Sequence, residues 1–195
     1  MTAEVWNWGF GVIELGFLFK DYLAVAGAVR AGVRLASASP RTSTFAQDAA
    51  NKVASAGQAM SLKDVQQLGV YKADPVTDKP VGFSSFSDCT TCVKFRWDTG
   101  TKAFIPTSTT TWPASTQNAC SSSSTGVPPD RIGVYIQLKH NAFTGFVFKT
   151  VNISEAIVFT LEPLPVLTVC SCRPPRPAGR SCVLGTCPQG FTVPD

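Results

Sequence analysis

The order of the periodic segments predicts an α+β fold, in which a long N-terminal helix packs on a small antiparallel sheet. Apolar residues recur every three or four positions through most of the N-terminal segment, a spacing typical of a helix. Further along the chain, short segments of alternating and β-branched residues are separated by turn residues, a pattern typical of strands. Helices that precede a run of strands are typical of an α+β domain.

The composition limits the class of protein. The chain has 195 residues, which is enough for one domain with a hydrophobic core and too few for two large domains. Charged residues make up 15%, against roughly 25% in an average soluble domain, so a long disordered charged protein is excluded. No apolar run reaches about 18 residues, which excludes a polytopic membrane protein. The net charge of +4 is spread along the chain, and we therefore expect no nucleic-acid partner.

The N-terminal segment has two zones. Residues 5–19 are apolar apart from Asn7 and Glu14, and the run stops at Lys20. As a helix this run spans about 22 Å, less than the roughly 30 Å of a bilayer core, and it lacks the basic start of a signal peptide. Beyond Lys20 the apolar pattern continues on one side only, which predicts a helix that lies along a globular body and is ended by Pro40. The apolar stripe consists of Leu15, Leu18, Tyr22, Val25, Val29, Val33 and Ala36.

Other residues of this helix point to packing against neighbours. Small residues at positions 24–32 allow another element to approach closely, and Arg30 and Arg34 lie on a different face from the stripe. A buried carboxylate needs an ionic or hydrogen-bonding partner. We expect Glu14 either to pair with Lys20 or a neighbour's N-terminus in an assembly, or to lie on the surface at the membrane edge. An ordinary core helix is the alternative to the two-zone interpretation.

The sequence predicts three regions. They are a membrane-anchor or amphipathic helix at residues 1–38, an α+β domain at 39–163, and a flexible tail rich in Cys and Pro at 164–195. Within the domain we expect helices at residues 45–60 and 61–68, strands at 69–74, 93–98, 102–106, 132–139 and 156–162, and a Ser/Thr-rich loop at 107–125. The strands at 93–98 and 102–106 flank a Thr-Gly turn, which predicts a hairpin.

Two sets of motifs resemble pilin sequences. GFGVIE at residues 9–14 is similar to a type IV prepilin processing site, with Glu14 at the fifth mature position. GVIELG at 11–16, followed by AVRAGVRLA at 28–36, more closely resembles the TadE-like family of bacterial Flp/Tad pilus minor pilins. In that family a membrane segment ends in a similar motif and leads into an Ala- and Arg-rich helix. Shorter motifs extend the resemblance to about residue 163: CTTC at 89–92, WPAS at 112–115, TGF at 144–146 and FTLEP at 159–163.

The resemblance implies a structural role in assembly, without enzymatic activity. It implies a minor pilin or pseudopilin held in the bacterial cell membrane by one helix, with its C-terminal domain outside the cell. Its partners would be pilus subunits, the Tad secretion machinery and the membrane. The upstream half of the family's membrane segment is not in this sequence, so we expect either a start internal to the gene product or a lost anchor. The residues that would carry helix packing and assembly are Glu14, Gly16, Tyr22, Arg30 and Arg34.

Seven cysteines follow residue 88: Cys89, Cys92, Cys120, Cys170, Cys172, Cys182 and Cys187. In an oxidising compartment such a set forms disulfides. We expect one of Cys89 and Cys92 to reach Cys120 across the hairpin, which closes a loop of about thirty residues and contributes on the order of 3 kcal/mol. A redox-active Cys89–Cys92 pair and a zinc site in the tail are alternatives, although the tail's spacing differs from that of a zinc knuckle. The odd number leaves at least one cysteine free or bonded to another chain.

The sequence contains few of the residues and motifs on which enzymatic catalysis commonly depends. His140 is its only histidine, which removes most His-based catalysis, and we expect it to be structural. P-loop, Gly-x-Ser-x-Gly and His-Glu-x-x-His motifs are absent, so we expect no activity, metal or cofactor. The alternative function is a secreted, disulfide-stapled binding module or adhesin whose helix is removed after Ala26 or Ala38. A thiol oxidoreductase or zinc protein is the third candidate.

Overall fold

The computed structural model describes residues 2–108, 112–120, 127–143, 145 and 148–163, with side chains from residue 11 onward. In this part of the chain an α+β fold is present, as predicted. The helices are α1 (Thr2–Ala38) and α2 (Phe45–Ala56), and short 3₁₀ turns occupy Leu62–Asp64 and Ala114–Thr116. The strands are β1 (Val65–Ala73), β2 (Val93–Asp98), β3 (Ala103–Pro106), β4 (Arg131–Asn141) and β5 (Thr150–Thr160).

The five strands form one antiparallel sheet with the order β3-β2-β1-β4-β5. β1 is central because it pairs on both sides, so that Val70 lies opposite Val93 of β2 and Val134 of β4. The predicted hairpin is confirmed, since β2 and β3 pair along the whole of β3. β5 pairs with β4 over its full length, and no strand in the described part of the chain lies beyond it. β5 is therefore a long edge strand.

The two helices and one face of the sheet share a hydrophobic core. The second half of α1 contributes three valines without exposed surface, Val25, Val29 and Val33. Gly32 lets the helices approach closely, because a Cβ there would stand 3.1 Å from the carbonyl oxygen of Ala49. Gly32 thus serves the close packing that the sequence predicts, whereas Gly27 lies on the exposed side of α1. The sheet and α2 complete the core with Ala49, Ala50, Val53, Leu68, Ile132, Val134, Ile136 and Leu138.

On the opposite face of the sheet, aromatic rings lie over glycines. Tyr71 stands opposite Gly133, and Tyr135 stands opposite Gly69. The Phe86 ring covers Gly69 and stacks on Tyr135, with ring centroids 4.7 Å apart. A Cβ at either glycine would overlap a ring, so the glycines are what allows the rings to lie flat on the strands. We call Tyr71, Phe86 and Tyr135 the aromatic cluster.

Two of the predicted helix boundaries are wrong. α2 ends at Ala56 rather than at residue 60, because glycine is a poor helix former and Gly57 caps the helix, after which the N–H of Met60 donates to the carbonyl of Gly57 at 3.0 Å in a turn. The helix predicted at 61–68 is only a 3₁₀ turn, and β1 begins at Val65 instead of residue 69. Pairing with β4 extends this strand backwards, with a bulge between Val65 and Gln67 that interrupts the alternation.

The last strand is longer than predicted. β5 begins at Thr150 rather than at residue 156, and its first half continues the pairing with the far end of β4. The predicted Ser/Thr-rich loop lies only partly within the described residues, where it contains one 3₁₀ turn. The predicted tail at 164–195 lies outside the described residues.

Replacement of Gly133 by alanine is expected to lower the free energy of unfolding by about 1–3 kcal/mol, because the new methyl group would displace the Tyr71 ring from the strand. The matched control is Gly27→Ala on the exposed side of α1, where a Cβ meets no atom within 4 Å. That change should instead raise the free energy of unfolding, by about 1 kcal/mol, through helix propensity. Urea unfolding followed by circular dichroism measures both, and a stability change of the same sign in the two variants would contradict the prediction.

Tyr71 should make the fold sensitive to high pH. Burial, followed by the charge of Asp78, raises the pKa of Tyr71 to about 12, against about 10 in an unfolded chain. The buried phenol is therefore favoured in its neutral form, so its contribution is complete below pH 10 and is lost between pH 10 and 12. We expect the free energy of unfolding to fall by about 3 kcal/mol across this interval. In Tyr71→Phe the free energy of unfolding should depend less on pH over this interval, whereas in the control Tyr22→Phe its pH dependence should be unchanged. Denaturant titrations at a series of pH values measure both variants.

Candidate functional site

Large apolar side chains are exposed along the first half of α1. They are Val12 (68% exposed), Ile13 (50%), Leu15 (52%), Phe17 (46%), Phe19 (61%), Tyr22 (47%) and Leu23 (54%). We call these seven residues the apolar helix surface. The second half of the same helix is buried against the sheet, as the predicted two zones require. Single exposed apolar residues are common, but seven large ones within about three turns of one helix mark an interaction surface.

A groove runs between this surface and β5, which is an edge strand among the described residues. Leu15, Phe19 and Tyr22 form its helical wall together with Leu18, and the first half of β5 forms the other wall through residues 151–154. Its volume is about 580 Å³, and none of the described residues that line it is charged. The groove therefore offers an apolar helix beside a strand edge, a combination that a partner's apolar side chains can fill.

Glu14 points into the protein, in contrast to its neighbours on α1. Its exposure is 1%, whereas Ile13 and Leu15 on either side are half exposed. Glu14 also takes part in a hydrogen-bonding or electrostatic interaction within the chain. The expected surface position at the membrane edge is therefore wrong, because Glu14 is buried within the single chain.

The junction between the two halves of α1 is fixed to the sheet by Asp21 and His140. Oδ2 of Asp21 and Nδ1 of His140 are 2.7 Å apart, and both side chains are largely buried. A carboxylate only accepts hydrogen bonds, so Nδ1 carries the proton that is donated to Asp21. Nε2 of His140 is buried without a hydrogen-bond partner among the described residues. The expected structural role of His140 is consistent with this contact, whereas no sequence motif marks Asp21.

The other predicted assembly residues divide between two surfaces. Gly16 is exposed, and a Cβ there would meet nothing within 4 Å, whereas the exposed Tyr22 lines the groove beside β5. Arg30 and Arg34 are exposed two to three turns further on, where they line a separate groove of about 490 Å³ with Lys52 of α2. The structure therefore does not bring the five predicted residues into one site.

The disulfide pairing differs from the prediction. Cys89 and Cys92 bond to each other rather than to Cys120. Both are 1% exposed and pack against the aromatic cluster. Their disulfide therefore cross-links the loop that covers that face of the sheet. Because the closed loop is so short, the entropic contribution is about 2 kcal/mol rather than 3. Cys120 is itself disulfide-bonded and buried.

The arrangement around Cys89 and Cys92 lacks the usual features of a redox site. A reactive thiol is partly exposed and commonly stands at a helix N-terminus, but Cys92 leads directly into β2. Among the described residues, no three His, Cys, Asp or Glu side chains come together as metal ligands. The four cysteines of the predicted zinc alternative, at 170, 172, 182 and 187, lie outside the described residues.

Loss of the Asp21 carboxylate should loosen the first half of α1. In Asp21→Ala the buried N–H of His140 loses its acceptor, at a cost of about 1–3 kcal/mol. We expect amide hydrogen exchange at residues 12–24 to accelerate about tenfold, because that half of the helix then opens more often. The control is Lys20→Ala, which removes an exposed ion pair to the same carboxylate at 3.5 Å and an exposed contact of the ammonium with the Phe17 ring, and should change exchange little. Equal exchange in the two variants would show that the Asp21–His140 bond does not hold the helix.

Comparisons with known proteins add no relative. No family model, no curated protein and no solved structure matches this chain. Within the described residues, α1 and α2 do not combine the length and the apolar character that crossing a membrane requires. What the chain does is therefore inferred from its own residues and contacts, together with the resemblance carried by its motifs.

Proposed function

We propose that this chain is a TadE-like minor pilin or pseudopilin, a structural subunit in the assembly of a Flp/Tad pilus or a related secretion apparatus. The apolar helix surface is the observation that carries the proposal. Seven large apolar side chains are exposed at one end of a helix whose other end is held in the core of a small sheet. A helix built in this way presents one half to other molecules and uses the other half to carry a domain.

The energetics of this surface favour assembly. Full burial of one large apolar side chain contributes about 1.5–3 kcal/mol, and each of the seven is about half exposed in the single chain. Covering them with neighbouring helices or lipid removes that area from water. The groove beside β5 adds a recess into which side chains of a neighbour fit. Such a surface suits a subunit that works by packing, and we assign it no catalytic role.

The remaining elements of the proposal follow from the resemblance. The first half of α1 would lie at the bacterial cell membrane or in the filament, in contact with pilus subunits and the Tad secretion machinery. The sheet domain would be displayed outside the cell, where the buried Cys89–Cys92 disulfide persists. Glu14 is already buried within the subunit. It would then help to fix α1 within its own chain, and it would not need to pair with a charge of a neighbouring subunit.

The secreted binding module is the weaker candidate, for a reason found in the core. Processing after Ala38 would remove Val25, Val29 and Val33, which have no exposed surface and lie at the centre of the core. Processing after Ala26 would still remove Val25 and cut α1 within its packed half. A helix that served only as a cleaved export signal would not contribute buried residues to the core in this way.

A paired set of variants tests the proposal in the native host. Leu15→Gln with Phe19→Gln places two amides on the apolar helix surface and in its groove, while the buried core is left unchanged. The contacts of Leu15 and Phe19 with a neighbour should together contribute at least about 1.4 kcal/mol to the free energy of association. We therefore expect about a tenfold or greater loss of the protein from the membrane and sheared-filament fractions.

The control carries the same kind of change elsewhere. Val76 (89% exposed) and Val81 (43% exposed) lie between β1 and β2 and not on α1 or β5, so Val76→Gln with Val81→Gln should leave the distribution unchanged. Quantitative mass spectrometry of the fractions measures both. Retention of the Leu15 and Phe19 variant in membranes and filaments, or recovery of the wild-type chain only from the culture fluid, would overturn the proposal.

A further inference from the structure

A groove with three basic side chains lies between α1 and α2. Its volume is about 490 Å³, and the three basic residues are all exposed. The groove is lined by Arg30, Arg34 and Lys52, and by the apolar residues Ala31, Leu35 and Ala38. We call it the cationic groove.

The charge of the cationic groove is not balanced within the described part of the chain. Its basic side chains take part in none of the ion pairs between described residues, whereas Lys72 is paired with Asp130 at 2.8 Å. Asp48 precedes Lys52 by one turn of α2, but it does not line the groove, and its Oδ2 accepts a hydrogen bond from Thr44 at 2.7 Å. Three positive charges at one recess attract an anionic group.

The cationic groove and the apolar helix surface share one open side of α1. Arg30 follows Leu23 by seven residues and Val12 by eighteen, which are close to two and five helical turns. Arg34 follows Leu23 by eleven residues, which is close to three turns. Gly27, between them, is exposed as well, and a Cβ there would meet nothing within 4 Å. A continuous open strip therefore runs along α1, apolar at its first end and cationic at the other.

The spacing along this strip matches the layers of a membrane surface. Arg30 lies about 10 Å beyond Leu23 along the helix axis. Because Cα–Cβ bonds of a helix tilt toward its N-terminus, the side chain of Arg30 extends back toward the apolar end. A helix in a bilayer interface buries its apolar side chains about 5–10 Å deep, at the boundary of headgroups and acyl chains. With the first half of α1 in that position, Arg30 and Arg34 reach the level of the headgroups, where a guanidinium group binds phosphate through paired hydrogen bonds.

We propose that the cationic groove binds the phosphate groups of anionic phospholipids while the apolar helix surface lies among the acyl chains of the same leaflet. The inference rests on the part of the proposed function that places the first half of α1 at the membrane, and it adds the class of lipid and the residues that recognise it. α1 then lies along the membrane with its open side toward the lipid, while the sheet packs on its other side. The continuity of the groove with an apolar surface favours lipid over the acidic side chains of a neighbouring protein.

Flotation of the purified full chain with lipid vesicles tests the inference. One set of vesicles is phosphatidylcholine alone, and the other contains equal parts of phosphatidylcholine and phosphatidylglycerol. We expect the wild-type chain to bind the anionic set more tightly, and this preference to shrink in high salt. Arg30→Gln with Arg34→Gln should weaken binding to the anionic set about thirtyfold, which corresponds to about 1 kcal/mol for each arginine. Binding of this variant to phosphatidylcholine should be unchanged.

The matched control removes two positive charges from the opposite face of the sheet. Arg96 is exposed on β2 and follows Phe95, which packs in the core with the helices, so Arg96 points away from α1. Lys79 lies on that same face, where it lines a groove beside the aromatic cluster. Lys79→Gln with Arg96→Gln should change binding to the anionic vesicles by less than about threefold, because charges away from the lipid are largely screened.

Several results would overturn the inference. They are no binding or equal binding of the wild-type chain to the two sets of vesicles, undiminished binding of the arginine variant to the anionic set, and an equal loss in the control variant. If the arginine variant instead dissociates an oligomer of the chain without lipid, as seen by size-exclusion chromatography, the groove binds acidic side chains of a neighbouring chain and the inference is wrong. Failure of the pilin proposal would show in the host fractions of the Leu15 and Phe19 variant, whereas failure of this inference shows in the vesicles.

Discussion

The contact between the second half of α1 and the sheet is the one on which the rest of the structure depends. Its valines have no exposed surface, α2 packs closely on it at Gly32, and the last described residues bond back to Ser37 near its end. A small sheet does not bury enough apolar area by itself, so this helix completes the core. Because the apolar stripe of the second half of α1 is buried in the core, the first half carries most of the apolar side chains that other molecules can contact.

The elements set by local spacing could be predicted from the sequence, and those set by distant pairing could not. The helix ending before Pro40 and the hairpin of β2 and β3 follow from apolar periodicity and a Thr-Gly turn. The start of β1 was missed because Gln66 and Gln67 break the alternation at a bulge that only the pairing with β4 explains. The first half of β5 was missed for the same reason, since its partners lie across the sheet in β4.

The candidate site likewise combines features that local spacing predicts with features that depend on distant contacts. A run of apolar residues in one helix is enough by itself to indicate an interaction surface. The contact of Asp21 with His140 joins residues 119 positions apart, and the groove requires β5 to lie beside α1, so neither is visible in spacing. The cysteine pairing was wrong because sequence separation does not say which two side chains a loop brings together. The Cys89–Cys92 bond depends on how residues 74–92 fold over the aromatic cluster.

The Asp21–His140 contact has a practical consequence. His140 is the only histidine in the sequence, and it sits where the exposed half of α1 meets the buried half. Its imidazole protons therefore give one resolved set of signals in a nuclear magnetic resonance spectrum of the whole chain. Those signals are an intrinsic reporter of whether the helix is seated on the sheet, so attachment of the helix can be followed in solution, in detergent or on vesicles without a label.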